Sequence, residues 1–129
     1  MYDVIGDVHG QGGKLKALLA QMGYVQRAGS WHAPHGRQAV FVGDLIDRGS
    51  DQLGVLNIVR AMVDTGQARV VMGNHEFNAI GLAQRDGAGV YLRPRNPKNL
   101  AQHARFLHEV GLDSAEHAAW VVWFRTLPM

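Results

Sequence analysis

Ala39-Val40-Phe41-Val42-Gly43-Asp44-Leu45-Ile46-Asp47-Arg48-Gly49 decides the fold: an apolar run ends at a glycine and passes at once into acidic and basic side chains. A short apolar run bounded by a turn signal reads as a buried strand. The arrangement occurs twice more, as Tyr2 to Ile5 before Gly6-Asp7-Val8-His9-Gly10 and as Val70-Val71-Met72 before Gly73-Asn74-His75-Glu76. Between the runs, apolar residues recur at helical spacing. Leu15, Leu18, Leu19 and Met22 mark a helix that Gly23 can stop, and Asp51 is placed to cap a second with the face Leu53, Leu56, Val59 and Val63. A third follows Gly73 through Phe77 and Ile80. Glycine-bounded apolar strands alternating with amphipathic helices predict an α/β fold, a parallel βαβαβα sheet with right-handed crossovers.

The remaining segments fit one domain spanning residues 1–129. Arg27 to Gly36 is turn-rich and reads as a short hairpin, while Arg85 to Pro97 reads as a long loop of the kind that often carries function. Leu100, Ala104, Leu107 and Val110 predict one helix closed by Gly111, and Asp113 with Glu116 resembles a capping box for a last helix through Trp120 and Phe124. With 47% hydrophobic and 19% charged residues the composition is globular, and a net charge of +2 implies no strong field for polyanions. No cysteine is present, so disulfides and thiolate metal sites are excluded. No basic, apolar leader opens the chain and no stretch is long enough to span a bilayer, so no membrane partner and a cytoplasmic location are expected.

In open parallel sheets ligands sit outside the carboxyl ends of the strands, and Asp7, Asp44 and Asn74 each follow a predicted strand. Three loops should therefore converge. Each residue also has an ordinary reading: aspartates form turns, Asn74 can cap its helix, and Asp47 with Arg48 can be an exposed ion pair. Glu76 reads as a first-turn helix residue without a ligand role, and His32, His35, His103, His108 and His117 read as solvated. Gly12-Gly13-Lys14 is not a P-loop, because Val8 and Leu15 occupy its required glycine and hydroxyl positions. Arg85, Arg93, Arg95, Lys98 and Arg105 can form a rim that attracts phosphates; sparse aromatics rank nucleic acid last among partners.

Taken together, the three motifs resemble the N-terminal half of the calcineurin-like metallophosphoesterases, in the branch of phosphoprotein phosphatases and dinucleoside tetraphosphatases. The resemblance implies the first half of an α/β/β/α sandwich and a dinuclear metal site. Asp7 and His9 would hold the first metal, Asp44 would bridge, and Asn74 would hold the second. His75 would be the general acid oriented by Asp47, and Arg48, with Asn74 and His75, would bind the phosphate. The chemistry asks for these types: a metal pair generates hydroxide for in-line attack, a carboxylate-supported imidazole protonates the leaving oxygen, and a guanidinium grips two phosphoryl oxygens. Oxygen and nitrogen ligation suits manganese first, with iron, zinc or magnesium as alternatives.

Members of that family carry further C-terminal ligand motifs that residues 1–129 lack, which leaves the second metal only Asp44 and Asn74. The expectation is a metal-dependent phosphoester hydrolase, weak or inactive at this length, acting on a phosphoprotein, a nucleotide or a small phosphoester. The alternatives are a dinucleoside polyphosphate hydrolase and a non-catalytic metal-binding or interaction module. The sheet face covered by the second half in the family should be exposed here and promote self-association.

Overall fold

The chain runs through β1 (Tyr2–Ile5), α1 (Gly12–Gln21), β2 (Val25–Arg27), β3 (Ser30–His32), β4 (Gln38–Phe41), α2 (Gln52–Asp64), β5 (Ala68–Val70) and α3 (Asn74–Ala83). Three further helices follow: α4 (Pro97–Gln102), α5 (Ala104–Val110) and α6 (Ala115–Arg125). These elements come from a computed structural model that describes residues 1–129. β1, β4 and β5 form a parallel sheet in the order β1-β4-β5, and β2 pairs antiparallel with β3 as the expected hairpin. No helix is long and apolar enough to cross a membrane.

Register is what positions the site. Ile5 pairs with Phe41 and Phe41 with Val70, so the three motifs leave the sheet from one row. The ladder then continues beyond the strands: Val42 N–H donates to Ile5 at 3.1 Å and Val71 N–H to Phe41 at 3.0 Å. The motif loops are tied together next, by His9 N–H to the Asp44 carbonyl at 3.0 Å and Gly10 N–H to the Leu45 carbonyl at 2.8 Å. Gly43 and Gly73 permit this approach. Gly43 has φ +87°, and a Cβ on it would overlap the Gly73 backbone, while a Cβ on Gly73 would overlap Asp44.

The core beneath this row is built from Ile5, Phe41, Leu45, Ile46, Leu56, Val59, Met62, Phe106 and Phe124. α5 packs on α2 and α6 on α3, so the C-terminal helices close over the second and third βα units. Truncating a fully buried side chain such as Phe41 to Ala typically costs about 3–5 kcal/mol. At the outer edge Asp3 of β1 accepts from Tyr24 Oη at 2.8 Å and from Arg37 at 2.5 Å. The Arg37 guanidinium holds the Asp3 carboxyl below its ordinary range.

Several sequence expectations shift in detail. β5 ends at Val70, so Val71 and Met72 belong to the loop, where Met72 N–H donates to the Pro128 carbonyl at 2.6 Å. In α2 the buried face is Gln52, Val55, Leu56, Val59 and Met62, leaving Leu53 and Val63 only half-buried. α3 buries Glu76, Ala79 and Leu82, and Phe77 faces solvent. The helix expected through Leu100 to Val110 is two, broken at His103, whose backbone leaves helical geometry and whose side chain turns inward. Ser114, not Asp113, caps α6 by accepting from His117 N–H at 3.0 Å, because Asp113 is taken by a two-point ion pair with Arg95 at 2.7 and 2.8 Å.

His117, expected to be solvated, is buried; its Nδ1 accepts from Asp113 N–H at 3.0 Å and its Nε2 has no partner. Burial, helped by repulsion from His103, pushes its pKa below the ordinary value of 6.5. The fold therefore binds fewer protons here than the unfolded chain between the lowered value and 6.5, so this contribution is complete above 6.5 and is lost as pH falls through the lowered value. Urea unfolding at pH 7.5 and 5.0 should show the wild type losing stability on acidification. His117→Asn, which keeps an acceptor but does not titrate, should flatten that difference.

Candidate metal and phosphate site

Asp7, His9 and Asp44 place one ligand atom each within 4.8 Å of one another, from two different loops. His9 Nδ1 lies 2.9 Å from the Ile46 carbonyl, which can only accept, so Nδ1 carries the proton and Nε2 is left as a donor of its lone pair. Nε2 stands 3.7 Å from Asp7 Oδ2. Asp44 Oδ1 accepts from His75 N–H at 3.0 Å. Two carboxylates and an imidazole oriented through its far nitrogen by a carbonyl form a donor set that fits a divalent cation. Asn74, the first residue of α3, follows Gly73, whose backbone abuts Asp44, and lines the adjoining cavity.

Sequence reasoning overlooked the group that joins these loops. Glu76 is fully buried and accepts N–H groups from Asp44 at 2.7 Å, Leu45 at 2.9 Å and Gly73 at 3.0 Å. Its pKa is raised by burial, with the three N–H bonds opposing and the nearby Asp44 carboxylate assisting. The detectable signal was its place three residues beyond the glycine that precedes α3, where an acid can turn back on free backbone donors.

Asp47 is buried between two histidines: Oδ2 lies 2.7 Å from His75 Nδ1 and Oδ1 lies 2.6 Å from His103 Nδ1. The ordinary alternative, an exposed Asp47–Arg48 ion pair, does not form, since the carboxylate turns inward and Arg48 is exposed. His103 corrects the expectation of a solvated histidine: it is buried, tilts over Phe106 at 4.8 Å between ring centroids, and has no partner at Nε2. Gln52 shapes the loop by accepting from Asp47 N–H at 2.7 Å and donating to the Gly49 carbonyl at 3.0 Å. Glu109 of α5 in turn accepts from the N–H groups of Gln52 and Leu53 at the start of α2, at 2.7 and 3.0 Å. His75 has Nδ1 fixed by Asp47 and its ring edge-on to His9 with centroids 4.6 Å apart, so it stands beside the Asp7–His9–Asp44 cluster. A fixed Nδ1–H and a free Nε2 let an imidazole exchange a proton with a bound group.

A cavity of 610 Å³ opens over this dyad, lined by Asp47, Arg48, Asn74, His75, Asn78, Arg93, Asn99, Gln102 and Arg105. Every lining residue except Ala101 is polar or charged. The other large groove, 550 Å³ between β1 and α1, is mainly apolar and includes Asp7 alone of the site residues.

The calcineurin-like phosphoesterase profile matches residues 2–125. Over 74 residues the chain is 46% identical to the asymmetrical bis(5'-nucleosyl)-tetraphosphatase PrpE of Halalkalibacterium halodurans, a stretch covering 57% of this chain and 30% of that protein. It is 35% identical over 79 residues to the symmetrical bis(5'-nucleosyl)-tetraphosphatase of Ralstonia nicotianae, covering 61% of this chain and 24% of that one. The crystal structure of a cold-active protein-tyrosine phosphatase from a psychrophilic Shewanella superposes with a TM-score of 0.54 at 28% identity, over 93% of this chain and 36% of that one. The chain thus matches about a third or less of the length of these curated relatives.

Glu76→Ala would leave three backbone donors without their acceptor, two of them on the Asp44 loop. Unpaired buried donors cost roughly 1–3 kcal/mol each, so urea denaturation should show a loss of about 3 kcal/mol or more. Glu76→Gln, which retains one oxygen, should lose less.

Proposed function

The chain belongs to the calcineurin-like phosphoesterase family, and from that premise we propose that it hydrolyses phosphoester or phosphoanhydride bonds with divalent cations held by Asp7, His9, Asp44 and Asn74. The observation that carries the reading is the convergence of the three-donor cluster with a buried carboxylate–histidine pair one ring away. A bound cation supplies Lewis acidity and lowers the pKa of water at that cluster. We take Asp7, His9 and Asp44 as ligands of one cation and Asp44 with Asn74 as the donors to a second; manganese is the ion to test first.

The protein's own groups do the rest. Asp47 holds the Nδ1–H of His75 at 2.7 Å, so that in the imidazolium form it is Nε2–H that gives its proton to the departing oxygen, leaving the neutral ring with its remaining proton on Nδ1. Arg48, exposed at the cavity mouth, offers two parallel N–H groups to phosphoryl oxygens. Asn74 adds an amide, and the Glu76 clamp keeps the Asp44 and Gly73 backbones in contact while charge changes nearby. As substrate we favour a dinucleoside polyphosphate over a phosphoprotein, supported by the names of the relatives that share 46% and 35% identity.

Manganese uptake by equilibrium dialysis and hydrolysis of an aryl phosphate should be measured for the wild type, Asp44→Ala and His75→Asn. Asp44→Ala should lose both metal and whatever turnover the wild type shows. His75→Asn should keep its metal and lose about 10²–10⁴-fold in kcat/KM. Unchanged metal content in Asp44→Ala would remove the bridging role.

A further inference from the structure

The cavity over His75 has two walls, and the catalytic reading uses only one of them. The opposite wall comes from the loop after α3 and from α4 and α5, and it contributes Arg93, Asn99, Gln102 and Arg105. With Arg48 this makes three guanidinium groups around one space. The only carboxylate lining it, Asp47, is buried and engaged by two histidines at 2.7 and 2.6 Å. The protein's salt bridges involve Arg37, Arg60 and Arg95, and none involves Arg48, Arg93 or Arg105. The charge of the cavity is therefore uncompensated within the fold.

Arg93 is built into place. Its backbone N–H donates to the Gly81 carbonyl at 2.9 Å, and Gly81 lets it lie against α3, where an added Cβ would come within 3.0 Å of the Arg93 side chain. Its guanidinium donates to Asn99 Oδ1 at 3.0 Å and Gln102 Oε1 at 3.4 Å. Asn99 is itself fixed by its Nδ2 donating to the Pro94 carbonyl at 2.8 Å. Neutral amides orient a cation without cancelling it, and that is the environment expected of an anion receptor. The neighbouring Arg95 shows the contrast: it is spent on Asp113 and stacks on Tyr91 at 3.7 Å. His75 lies between the two regions, its ring on His9 at one side and its cavity face toward the arginines at the other.

We propose that Arg93 and Arg105 form a subsite for a linear phosphate chain, holding phosphates that lie beyond the one bound at the Asp7–His9–Asp44 cluster. Only the location of the cleaved bond rests on the phosphoesterase reading; the binding itself does not. Without a cation the Asp7 and Asp44 carboxylates repel phosphate and the arginines attract it; a chain of phosphates spans Arg48, Arg93 and Arg105 together, whereas a single phosphate meets fewer of them.

The test is titration calorimetry of the metal-free 129-residue chain with inorganic tripolyphosphate and with orthophosphate. The wild type should bind tripolyphosphate at least tenfold more tightly, with the preference shrinking as salt rises. Arg93→Gln and Arg105→Gln should each weaken tripolyphosphate three- to tenfold and weaken orthophosphate by a smaller factor. Arg105 is exposed and has no hydrogen-bond partner in the fold, so Arg105→Gln keeps the test decisive if Arg93→Gln does not fold. Equal affinity for the two anions, or tripolyphosphate binding indifferent to both substitutions, overturns the subsite even if aryl phosphate is hydrolysed. Lost hydrolysis with the tripolyphosphate preference intact overturns the phosphoesterase reading and sustains the subsite. A bis(5'-nucleosyl) tetraphosphate titrated alongside identifies the source of the chain: tighter binding than tripolyphosphate assigns a nucleotide ligand and weaker binding a bare polyphosphate, and both sustain the subsite. A single-stranded oligonucleotide that binds as tightly as tripolyphosphate, with the same sensitivity to Arg105→Gln, assigns the arginines to nucleic acid and overturns it.

Discussion

The carboxylate of Glu76 is the constraint on which the site depends. It accepts the N–H groups of Asp44, Leu45 and Gly73 from a fully buried position, so the loops after β4 and β5 are joined by one side chain. Isolating a carboxylate from water is expensive, and three converging N–H donors are what makes it tolerable. The same bonds satisfy backbone groups that the tight turns would otherwise leave unpaired. Asp44, facing the neighbouring His75 N–H and the Asp7–His9 pair, is held in place by this arrangement and not by its own loop alone.

Backbone conformation shows how closely the loops are held. His9, Asp44, Asp47 and Arg48 all have positive φ, from 45° to 73°. Histidine and aspartate enter that region more readily than most residues, while a long side chain such as Arg48 does so at greater cost. Residues in sparsely populated conformations cost about 1–3 kcal/mol each and persist only where the surroundings enforce them. Here the enforcement is visible in Gln52 on the Asp47 N–H, in Gly49 N–H on the His9 carbonyl at 2.8 Å, and in Glu109 gripping the start of α2. The strain coincides with the residues to which the proposed chemistry assigns a fixed direction.

The strands and the motif loops were legible because each apolar run terminates at a glycine followed by an acid or amide, a pattern that parallel α/β topology converts directly into convergence. The hairpin through Val25 to His32 was legible for a similar reason, from its turn residues. Gln52, Glu76, His103 and His117 were not, because all four are polar: Glu76 and His103 are held inside by partners far along the chain, and Gln52 and His117 by nearby backbone groups whose direction only the folded turns define. His103 sits 56 residues from Asp47, within an apolar pattern that reads as one continuous helix. The break that turns it inward has no local punctuation of the kind glycine or proline provides. Asp113 misled in the opposite direction: its spacing to Glu116 suits a cap, yet Arg95 offered a stronger two-point partner.

The order in which these partners occur along the chain bears on how the protein assembles during synthesis. β1 and β4 can meet early, but the Asp44 loop has no clamp until Glu76 has been made, and Asp47 lacks its second imidazole until His103 follows. A nascent chain that has extruded only the first two βα units therefore lacks the Glu76 clamp and the His103 partner, and its acidic turns are restrained only by Gln52 and by the Gly49–His9 bond. The donor cluster thus matures from its C-terminal side, as residues made after β5 complete the geometry that residues near the N-terminus display.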